Sequence, residues 1–338
     1  MDPAGALTGS PAQKTLIGAV SSFVSSRSGG ARSARLPNGV CVALSGGPDS
    51  LALTFAAVRA GLDVEALIVD HGLQDGSAGV AATAAETART LGARARVLTV
   101  RVGTEGGPEA AARTARYAAL DAARDGRPVL LAHTLDDQAE TVLLGLGRGS
   151  GGRSLSGMAA WNEPWGRPFL TVRRSDTVAV CDELGLQPWH DPHNDDRRFT
   201  RVRVRREAMP VLEDVLGPGV AEALARTADR LRADSDALDD LARVLLDQAA
   251  YRDGSAVVGL DAEILGAAPA ALRTRALRHW VLGVADETGA RTLAQLDALV
   301  TDWRGQGPVA VGGDERSRLV VVRRDGRLIL DEAPRRAR

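Results

Sequence analysis

Four short apolar runs alternate with four helix-like stretches in the first half of this chain, and this alternation limits the possible folds more than any other feature. Each run has the length of a buried strand and is bounded by glycine, proline or polar residues. The runs cover residues 39–44, 64–69, 96–100 and 128–132, and the stretches cover residues 49–60, 78–91, 108–124 and 136–147. Such alternation predicts an α/β fold, in which a parallel sheet carries helices on both faces. We place this unit at residues 14–185.

The pattern changes beyond residue 185. Residues 186–215 form a basic connecting segment, and residues 216–332 are predicted to form a smaller, mainly helical domain with a small β end. Helical periodicity is clearest over residues 219–250 and 272–284. Near the end of the chain, Asp325 and Gly326 separate the apolar runs VVVRR and RLIL, and this dipeptide favours a tight β-hairpin.

The charged and reactive residues exclude several classes of protein. The net charge is −1, so a contact with nucleic acid must depend on a local basic patch. Cys41 and Cys181 lack the spacing of a thiolate metal site, which favours a reducing compartment. Lys14 is the single lysine, so a Walker-type phosphate loop is excluded. No apolar run approaches the roughly 18 residues of a membrane span, and we therefore expect a cytoplasmic protein.

A hydrophilic loop, SGGPDS, joins the first predicted strand to the helix that follows it. The loop consists of Ser45, Gly46, Gly47, Pro48, Asp49 and Ser50. Ligands of parallel α/β sheets bind beyond the carboxyl ends of the strands, where glycine N–H groups and a helix amino end attract anions. Asp49 would repel a bare phosphate, which points to a divalent cation between the two. The alternative is a glycine-rich turn that Asp49 or Ser50 caps.

The order of these residues resembles the SGGxDS loop of the PP-loop ATP pyrophosphatases, which cleave ATP between the α- and β-phosphates without a Walker lysine. Four later segments resemble one group within that superfamily, the tRNA(Ile)-lysidine synthetases. They are VDHGL at 69–73, ARTARY at 112–117, AHTLDDQAET at 132–141 and WHDPHNDDRRFTRVRVR at 189–205. The resemblance extends over about residues 40–210. The departures from the family pattern are Gln74, Thr134, His193 and Val202.

This resemblance implies an activity. The family uses ATP and Mg²⁺ to adenylate the C2 oxygen of cytidine 34 in the CAU anticodon of tRNA(Ile). Free L-lysine then displaces AMP, and the product is lysidine. The resemblance also implies a PP-loop fold of the adenine nucleotide α-hydrolase type, with the helical domain as a tRNA-binding domain. It implies no membrane contact and no obligate protein partner.

The resemblance assigns roles to four acidic residues. Asp49 is the predicted Mg²⁺ ligand and a predicted catalytic residue. Asp136, Asp137 and Glu140 would bind the ammonium groups of lysine, and the last two are also predicted to be catalytic. Asp136 and Glu140 lie four residues apart and therefore share a helix face. The alternative is that acidic residues in a first helical turn complement the helix dipole.

The basic residues receive roles in the same way. Arg113 is a predicted catalytic residue and Arg116 a predicted substrate contact, and one of the two would reach the α-phosphate or the lysine carboxylate. The alternative for this pair is a solvated helix face. His133 would contact the substrate as a catalytic residue, and His71 would contact adenine or ribose. The alternative for either histidine is a structural role.

An arginine-rich segment follows the parallel unit. Six arginines fall within residues 197–206, in a chain of near-neutral net charge. Such a patch is expected to contact RNA phosphates, and the family pattern selects Arg201 and Arg205 as substrate contacts. The alternative is a solvated basic face that pairs with acidic neighbours such as Asp195 and Asp196.

Two other functions remain open from the sequence. One is a PP-loop thiolase that makes 2-thiocytidine, which would need paired cysteines or an iron–sulfur cluster. The other is a nucleotide- and RNA-binding module without catalytic activity. Pyrophosphate release that depends on both RNA and lysine would distinguish a lysidine synthetase from both.

Overall fold

A computed structural model of the chain describes residues 9–28, 39–72, 76–103, 107–149, 152–254, 256–283, 289–313 and 317–334. The chain divides into two compact units, Met1–Leu231 and Arg232–Arg338. The domain boundaries expected near residues 185 and 215 are a finer division than these units, and they stay a prediction. Gln74 and the side chain of His193, two of the departures from the family pattern, lie outside the described residues.

The described part of the first unit contains one six-stranded sheet. Its strands are β1 (Gly39–Ala43), β2 (Asp63–Asp70), β3 (Arg94–Thr99), β4 (Val129–Leu130), β5 (Trp161–Asn162) and β6 (Trp165–Gly166). The strand order is β3-β2-β1-β4-β6-β5, and every neighbouring pair is parallel except the short edge pair β5–β6. The parallel sheet predicted from the alternating pattern is therefore confirmed.

Helices connect and flank these strands. They are α1 (Pro11–Ser28), α2 (Pro48–Arg59), α3 (Ser77–Thr90), α4 (Pro108–Ala123), α5 (Leu135–Gly147), α6 (Gly152–Leu155), α7 (Arg174–Glu183), α8 (Thr200–Arg203) and α9 (Met209–Leu216). A π-helical turn, Val204–Ala208, joins α8 to α9, and α10 (Val220–Ala249) crosses the boundary between the two units. Within the described ranges, no helix has the length and apolar character needed to traverse a bilayer.

Alternate residues of β1 pack on opposite faces of the sheet, as the two-residue period of a strand requires. Val40 and Val42 are fully buried in a core cluster that includes Leu16 of α1. Cys41, between them, is fully buried in a second cluster that includes Leu120 of α4. Helices therefore cover both faces, which explains why the strand is apolar along its whole length.

The carboxyl ends of three strands lie next to one another, because β1 is located between β2 and β4. The glycine loop from Ser45 to Ser50 follows β1, His71 follows β2, and His133 follows β4. The topology thus brings three chemically distinctive segments, which are distant in sequence, to one edge of the sheet.

The second unit combines helices with an antiparallel sheet. Its elements are β7 (Ala250–Asp253), β8 (Ala256–Asp261), α11 (Ala262–Ala267), α12 (Ala270–Leu282), α13 (Ala290–Thr301), β9 (Val309–Gly313), β10 (Ser317–Arg324) and β11 (Arg327–Pro334). The predicted hairpin is confirmed, since Asp325 and Gly326 have φ angles of 47° and 74° in the turn between β10 and β11. Within the described residues the sheet has five strands, more than the small β end expected. The sequence did not reveal β7 and β8, because they contain only 4 and 6 residues and show no clear periodicity.

Candidate active site

The glycine loop after β1 has a shape that suits an anion. Gly46 has a φ of 84°, which favours glycine, and Gly47 begins α2 as its N-cap. The Ser50 hydroxyl accepts a hydrogen bond from the Ser45 N–H (3.2 Å) and donates one to the Gly47 carbonyl (2.9 Å). The N-cap residue Gly47 has no side chain that could cap α2, and the turn is held by Ser50, one of the two residues named in the capped-turn alternative. The Ser50 hydroxyl instead fixes the loop conformation beside the positive end of α2.

Trp189 holds the loop from the outside. Its backbone N–H donates a hydrogen bond of 2.9 Å to the Gly46 carbonyl. A Cβ atom added at Gly46 would lie 3.6 Å from the Trp189 Cβ, an ordinary contact distance, so the positive φ is what disfavours a larger residue there. The large indole of Trp189 is 42% exposed beside the loop. The sequence segment that begins at Trp189 therefore supports the predicted phosphate-binding loop directly.

Asp49 lies in the first turn of α2 and has two polar partners from α7. Its Oδ2 lies 3.3 Å from Arg174 Nε, and its Oδ1 accepts a hydrogen bond from the Thr177 hydroxyl. Burial raises the pKa of Asp49, and the Arg174 charge and the Thr177 hydrogen bond oppose that rise. The carboxylate is thus held in place by neighbours that sequence reasoning did not identify.

Thr134 and Asp137 form a capping box at the start of α5. Asp137 Oδ2 accepts hydrogen bonds from the Thr134 N–H (2.8 Å) and the Thr134 hydroxyl (2.9 Å). Although burial acts to raise the pKa of Asp137, the Arg174 charge and the Thr134 hydrogen bonds lower it. The departure of Thr134 from the family pattern therefore has a structural role, because a threonine hydroxyl is an effective helix cap.

Glu140, one turn further along α5, is 1% exposed and lies among three arginines. Arg205 grips it with Nε at 2.7 Å and Nη2 at 3.1 Å. Arg174 Nη1 lies 3.5 Å from Glu140, and Arg201 Nε lies 3.6 Å from it. A buried carboxylate is retained only where cations compensate its lost hydration, and these arginines supply that compensation.

The structure associates Glu140 with Asp137, since Arg174 and Arg205 contact both carboxylates. Asp136, which the helical spacing also places on the Glu140 face, faces different partners. Its two oxygens accept hydrogen bonds from Arg173 Nη1 (3.0 Å) and from the Arg174 N–H (2.8 Å). Asp136 thus orients the start of α7, whereas Asp137 and Glu140 form one acidic pair.

Arg174 is the central residue that the sequence did not reveal. Its guanidinium contacts Asp137 through Nη2 at 2.7 Å, in addition to Asp49 and Glu140. Although burial acts to lower the pKa of Arg174, these three carboxylates raise it. One sequence signal was present: Arg173 and Arg174 begin α7, where the positive helix end disfavours cations.

The two histidines at the strand ends are neutral bases in this setting. Burial lowers the pKa of His133 to about 4, and burial together with the Arg116 charge lowers the pKa of His71. The Nδ1 atoms of both rings are buried without a hydrogen-bond partner among the described residues. A buried polar atom without a protein partner calls for a water, an ion or a ligand group, and both rings offer such an atom at the strand edge.

The two arginines predicted on α4 have different surroundings. Arg113 Nη2 donates to the Tyr117 hydroxyl at 3.2 Å, and the guanidinium lies 4.8 Å from the centre of that ring. Arg116 is more deeply placed, and burial lowers its pKa. Arg116 also acts on His71, so α4 contributes positive charge at the same strand edge as the glycine loop.

The arginine-rich segment divides into two groups. Arg201 and Arg205 turn toward α5, where Arg201 Nη2 also donates to the Thr141 hydroxyl at 2.7 Å. Arg197 and Arg198 face outward, with 74% and 85% of their side chains exposed. The acidic pairing expected in the alternative is present, because Arg198 lies 2.7 Å from Asp196 and Arg206 contacts Asp195. The departure at Val202 places a buried apolar side chain in α8, next to Arg201.

The acidic residues suit a nucleotide-associated metal better than a closed metal site. Among the described residues, no three histidine, cysteine, aspartate or glutamate side chains are grouped so that they could hold a metal ion. Mg²⁺ commonly takes one or two carboxylates together with substrate phosphates and waters. Asp49, next to a loop shaped for an anion, fits that mode of binding.

Comparison with known proteins identifies relatives along most of the chain. Residues 23–212 match a family model described as a PP-loop domain, and residues 260–329 match one described as a TilS substrate binding domain. The tRNA(Ile)-lysidine synthase of Nocardia farcinica is 61% identical over 298 residues, which are 86% of this chain and 91% of that protein. The tRNA(Ile)-lysidine synthase of Rhodococcus erythropolis is 59% identical over 300 residues, 88% of this chain and 91% of that protein. That of Mycobacterium bovis is 60% identical over 296 residues, 87% of this chain and 91% of that protein.

A solved structure supports the fold independently. The U34-tRNA thiolase NcsA from Methanococcus maripaludis, solved with its [4Fe-4S] cluster, superposes with a TM-score of 0.51. The match covers 64% of this chain and 80% of the thiolase, at 17% sequence identity. At so low an identity, the likeness shows a shared fold and nothing about substrates.

Proposed function

We propose that this chain, which belongs to the tRNA(Ile)-lysidine synthase family, joins free L-lysine to C2 of cytidine 34 in the CAU anticodon of tRNA(Ile). The chain is an enzyme of tRNA lysidine formation with a PP-loop ATP-binding domain. ATP adenylates the C2 oxygen, lysine displaces AMP, and the products are lysidine, AMP and pyrophosphate. The observation that carries this proposal is that three carboxylates lie around Arg174 at one edge of the sheet. Asp49 follows the glycine loop, and Asp137 and Glu140 form the acidic pair on α5.

The glycine loop and α2 would hold the phosphates of ATP. The N–H groups around Gly46 and Gly47 and the amino end of α2 provide a positive field that needs no lysine. Asp49 would bind Mg²⁺, which supplies compensation for charge that develops on the phosphates. Arg113 and Arg116, on α4, would add positive charge near the α-phosphate. His71, with its unpartnered Nδ1, would contact adenine or ribose.

Asp137 and Glu140 would bind an ammonium group of the substrate lysine. Both are buried carboxylates, and both are held by arginines so that their oxygens point to one place. Asp136 would add negative charge at the same helix end. The attacking amine must lose a proton, and a carboxylate or the departing phosphate would accept it. His133, neutral at pH 7, would contact the substrate without adding a competing positive charge.

The arginine-rich segment would guide the tRNA to this edge. Arg197 and Arg198 are exposed, and RNA phosphates would compete with their present partners, Glu207 and Asp196, for these guanidinium groups. Arg201 and Arg205, partly exposed beside Glu140, would contact the RNA where it approaches the acidic pair. The second unit would extend the RNA contact, and a substrate of this kind places the enzyme in the cytoplasm.

The decisive experiment is to incubate the protein with ATP, Mg²⁺, labelled lysine and unmodified tRNA(Ile). The expected result is label in the RNA, with one pyrophosphate released per lysine attached. A methionine tRNA with the same CAU anticodon is the matched control. A 2-thiocytidine thiolase would leave lysine unincorporated, and a module without catalytic activity would release no pyrophosphate.

The sulfur-transfer alternative has little support in the arrangement of cysteines. Cys41 and Cys181 are both fully buried, and they belong to separate core clusters. Burial, together with the charge of Asp49, raises the pKa of the Cys181 thiol to about 12, so it is not a thiolate at neutral pH. A sulfur relay needs accessible thiolates, which neither residue offers.

A further inference from the structure

One guanidinium contacts the carboxylates of both halves of the proposed site. Arg174 Nε lies 3.3 Å from Asp49, which belongs to the phosphate-binding half. Arg174 Nη2 and Nη1 lie 2.7 Å from Asp137 and 3.5 Å from Glu140, which belong to the lysine-binding half. Because a guanidinium is a rigid planar fork, its three nitrogens can serve three carboxylates at the same time. Arg174 therefore connects the two halves physically.

The position of Arg174 in α7 is unfavourable for an arginine. It is the first residue of α7, where the helix dipole repels a cation, and 23% of its side chain is exposed. The carboxylates of Asp49 and α5 compensate that repulsion. Arg174 therefore depends on partners that the proposed reaction also assigns to substrates.

The two substrates of the proposed reaction would act on Arg174 in different ways. Lysine would compete with it for Asp137 and Glu140, and the phosphates of ATP would attract it. A lysine ammonium at Asp137 and Glu140 replaces the guanidinium on those two carboxylates. Phosphates at the glycine loop, next to Asp49, offer the guanidinium a strong charge-assisted partner. A guanidinium that turns toward phosphate leaves the acidic pair open to ammonium, so that each substrate makes room for the other.

We propose that Arg174 couples the lysine site to the nucleotide site, so that each substrate strengthens the binding of the other. This inference rests on the proposed function, since it takes Asp137 and Glu140 as the lysine ligands. Such coupling is reciprocal: the factor by which nucleotide tightens lysine binding equals the factor by which lysine tightens nucleotide binding. Arg174 acts in this scheme through the carboxylates that it holds and through the phosphates that it contacts once they are bound.

Calorimetric titration in the presence of Mg²⁺ and without tRNA measures this factor. The nucleotide is α,β-methylene-ATP, which cannot be cleaved between the α- and β-phosphates. The Kd of lysine is measured with and without the nucleotide, and the Kd of the nucleotide with and without lysine. For the wild-type protein we expect both ratios to agree, at about tenfold.

Substitutions at Arg174 then test its role. In Arg174→Gln the coupling factor should fall close to one, and lysine alone should bind at least as tightly as it binds the wild-type protein, because a competing cation is gone. Arg174→Lys keeps the charge but cannot reach three carboxylates, and its factor should fall below the wild-type value. If Arg174 only supported the fold, its substitution would weaken the binding of both substrates and leave the coupling factor unchanged.

Arg94→Gln is the matched control, since it removes an exposed arginine that pairs with Asp63 in the same unit. This variant should keep the wild-type factor. A factor of one in the wild-type protein, or a wild-type factor in both Arg174 variants, would overturn the coupling. If lysine fails to bind the wild-type protein even with nucleotide and tRNA present, the proposed function itself is wrong, and the two failures are thereby distinguished.

Discussion

Arg174 Nη2 lies 2.7 Å from Asp137 Oδ1, and this contact links the first turns of α7 and α5. The two residues are 37 positions apart in sequence. The amino end of a helix attracts negative charge, so the amino ends of α5 and α7 would stabilise the nearby carboxylates even without arginine. The arginine adds direction, because it fixes where the carboxylate oxygens point.

Asp49→Asn should abolish pyrophosphate release while the fold is retained. The change removes the charge that would bind Mg²⁺ but keeps the volume and a hydrogen-bond acceptor for Thr177. Removal of one such electrostatic interaction lowers kcat by about 100-fold or more. Pyrophosphate release is measured at saturating Mg²⁺, and Asp63→Asn, an exposed aspartate in the same unit, is the control. Near-wild-type turnover of Asp49→Asn would refute the metal assignment.

Glu140→Gln and Asp137→Asn should each raise the KM for lysine far more than the KM for ATP. A hydrogen bond to a charged partner contributes about 1.5–3 kcal/mol, which corresponds to a rise of roughly 10- to 100-fold. Steady-state kinetics with each substrate varied in turn measures both constants. A large rise in the KM for ATP with an unchanged KM for lysine would show that the acidic pair serves the nucleotide and that Asp49 serves lysine.

The two groups of arginines should differ in their effect on tRNA binding. Replacing Arg197 and Arg198 with glutamine should flatten the dependence of log Kd on log salt by about 0.7 to 0.9 for each RNA phosphate that is no longer neutralised. Replacing Arg201 and Arg205 should flatten it too, but should also raise the KM for lysine, because these side chains hold Glu140. Filter binding at several salt concentrations measures the slope. An unchanged slope in both double variants would contradict an RNA contact by this segment.

His133 should remain neutral far below the usual pH range of histidine. Its pKa is lowered from 6.5 to about 4, chiefly by burial; the charge of Asp137 opposes this shift, and the charges of Arg167, Arg113 and Arg201 add to it. The unfolded chain takes up this proton near pH 6.5, so the free energy of unfolding should fall as the pH drops from about 6.5 to about 4. The gap corresponds to about 3 kcal/mol at most.

Long-range ¹H–¹⁵N spectra of the imidazole rings test this directly. The chain has five histidines, and the resonance that disappears in His133→Asn identifies the ring in question. We expect that resonance to keep its neutral pattern down to about pH 5. A titration midpoint near 6.5 would show that the ring is solvated and would remove the argument for a neutral substrate contact.

Local patterns in the sequence were sufficient to predict much of this structure. The parallel sheet, the glycine loop and the hairpin at Asp325 and Gly326 each depend on residues close together in the chain, so their periodicity and turn chemistry are visible in the sequence. The acidic residues of α5 were also found, because the family pattern contains them.

The parts that could not be predicted depend on long-range contacts. Arg174 meets Asp49 across 125 positions, and Arg205 meets Glu140 across 65. No periodicity connects such residues. The family pattern singles out Arg201 and Arg205 in the connecting segment, but it does not show that these two side chains hold Glu140.

The capping box at α5 has a consequence for engineering a different amino-acid preference. Asp137 is the N3 residue of the capping box and is also assigned to substrate, so exchanging it would remove half of the cap of α5 in addition to any effect on selectivity. Glu140 does not cap the helix, and its ion pairs within the described chain are with the long side chains of Arg174, Arg201 and Arg205. Laboratory evolution toward ornithine or arginine should therefore accumulate changes around Glu140 and leave Asp137 untouched.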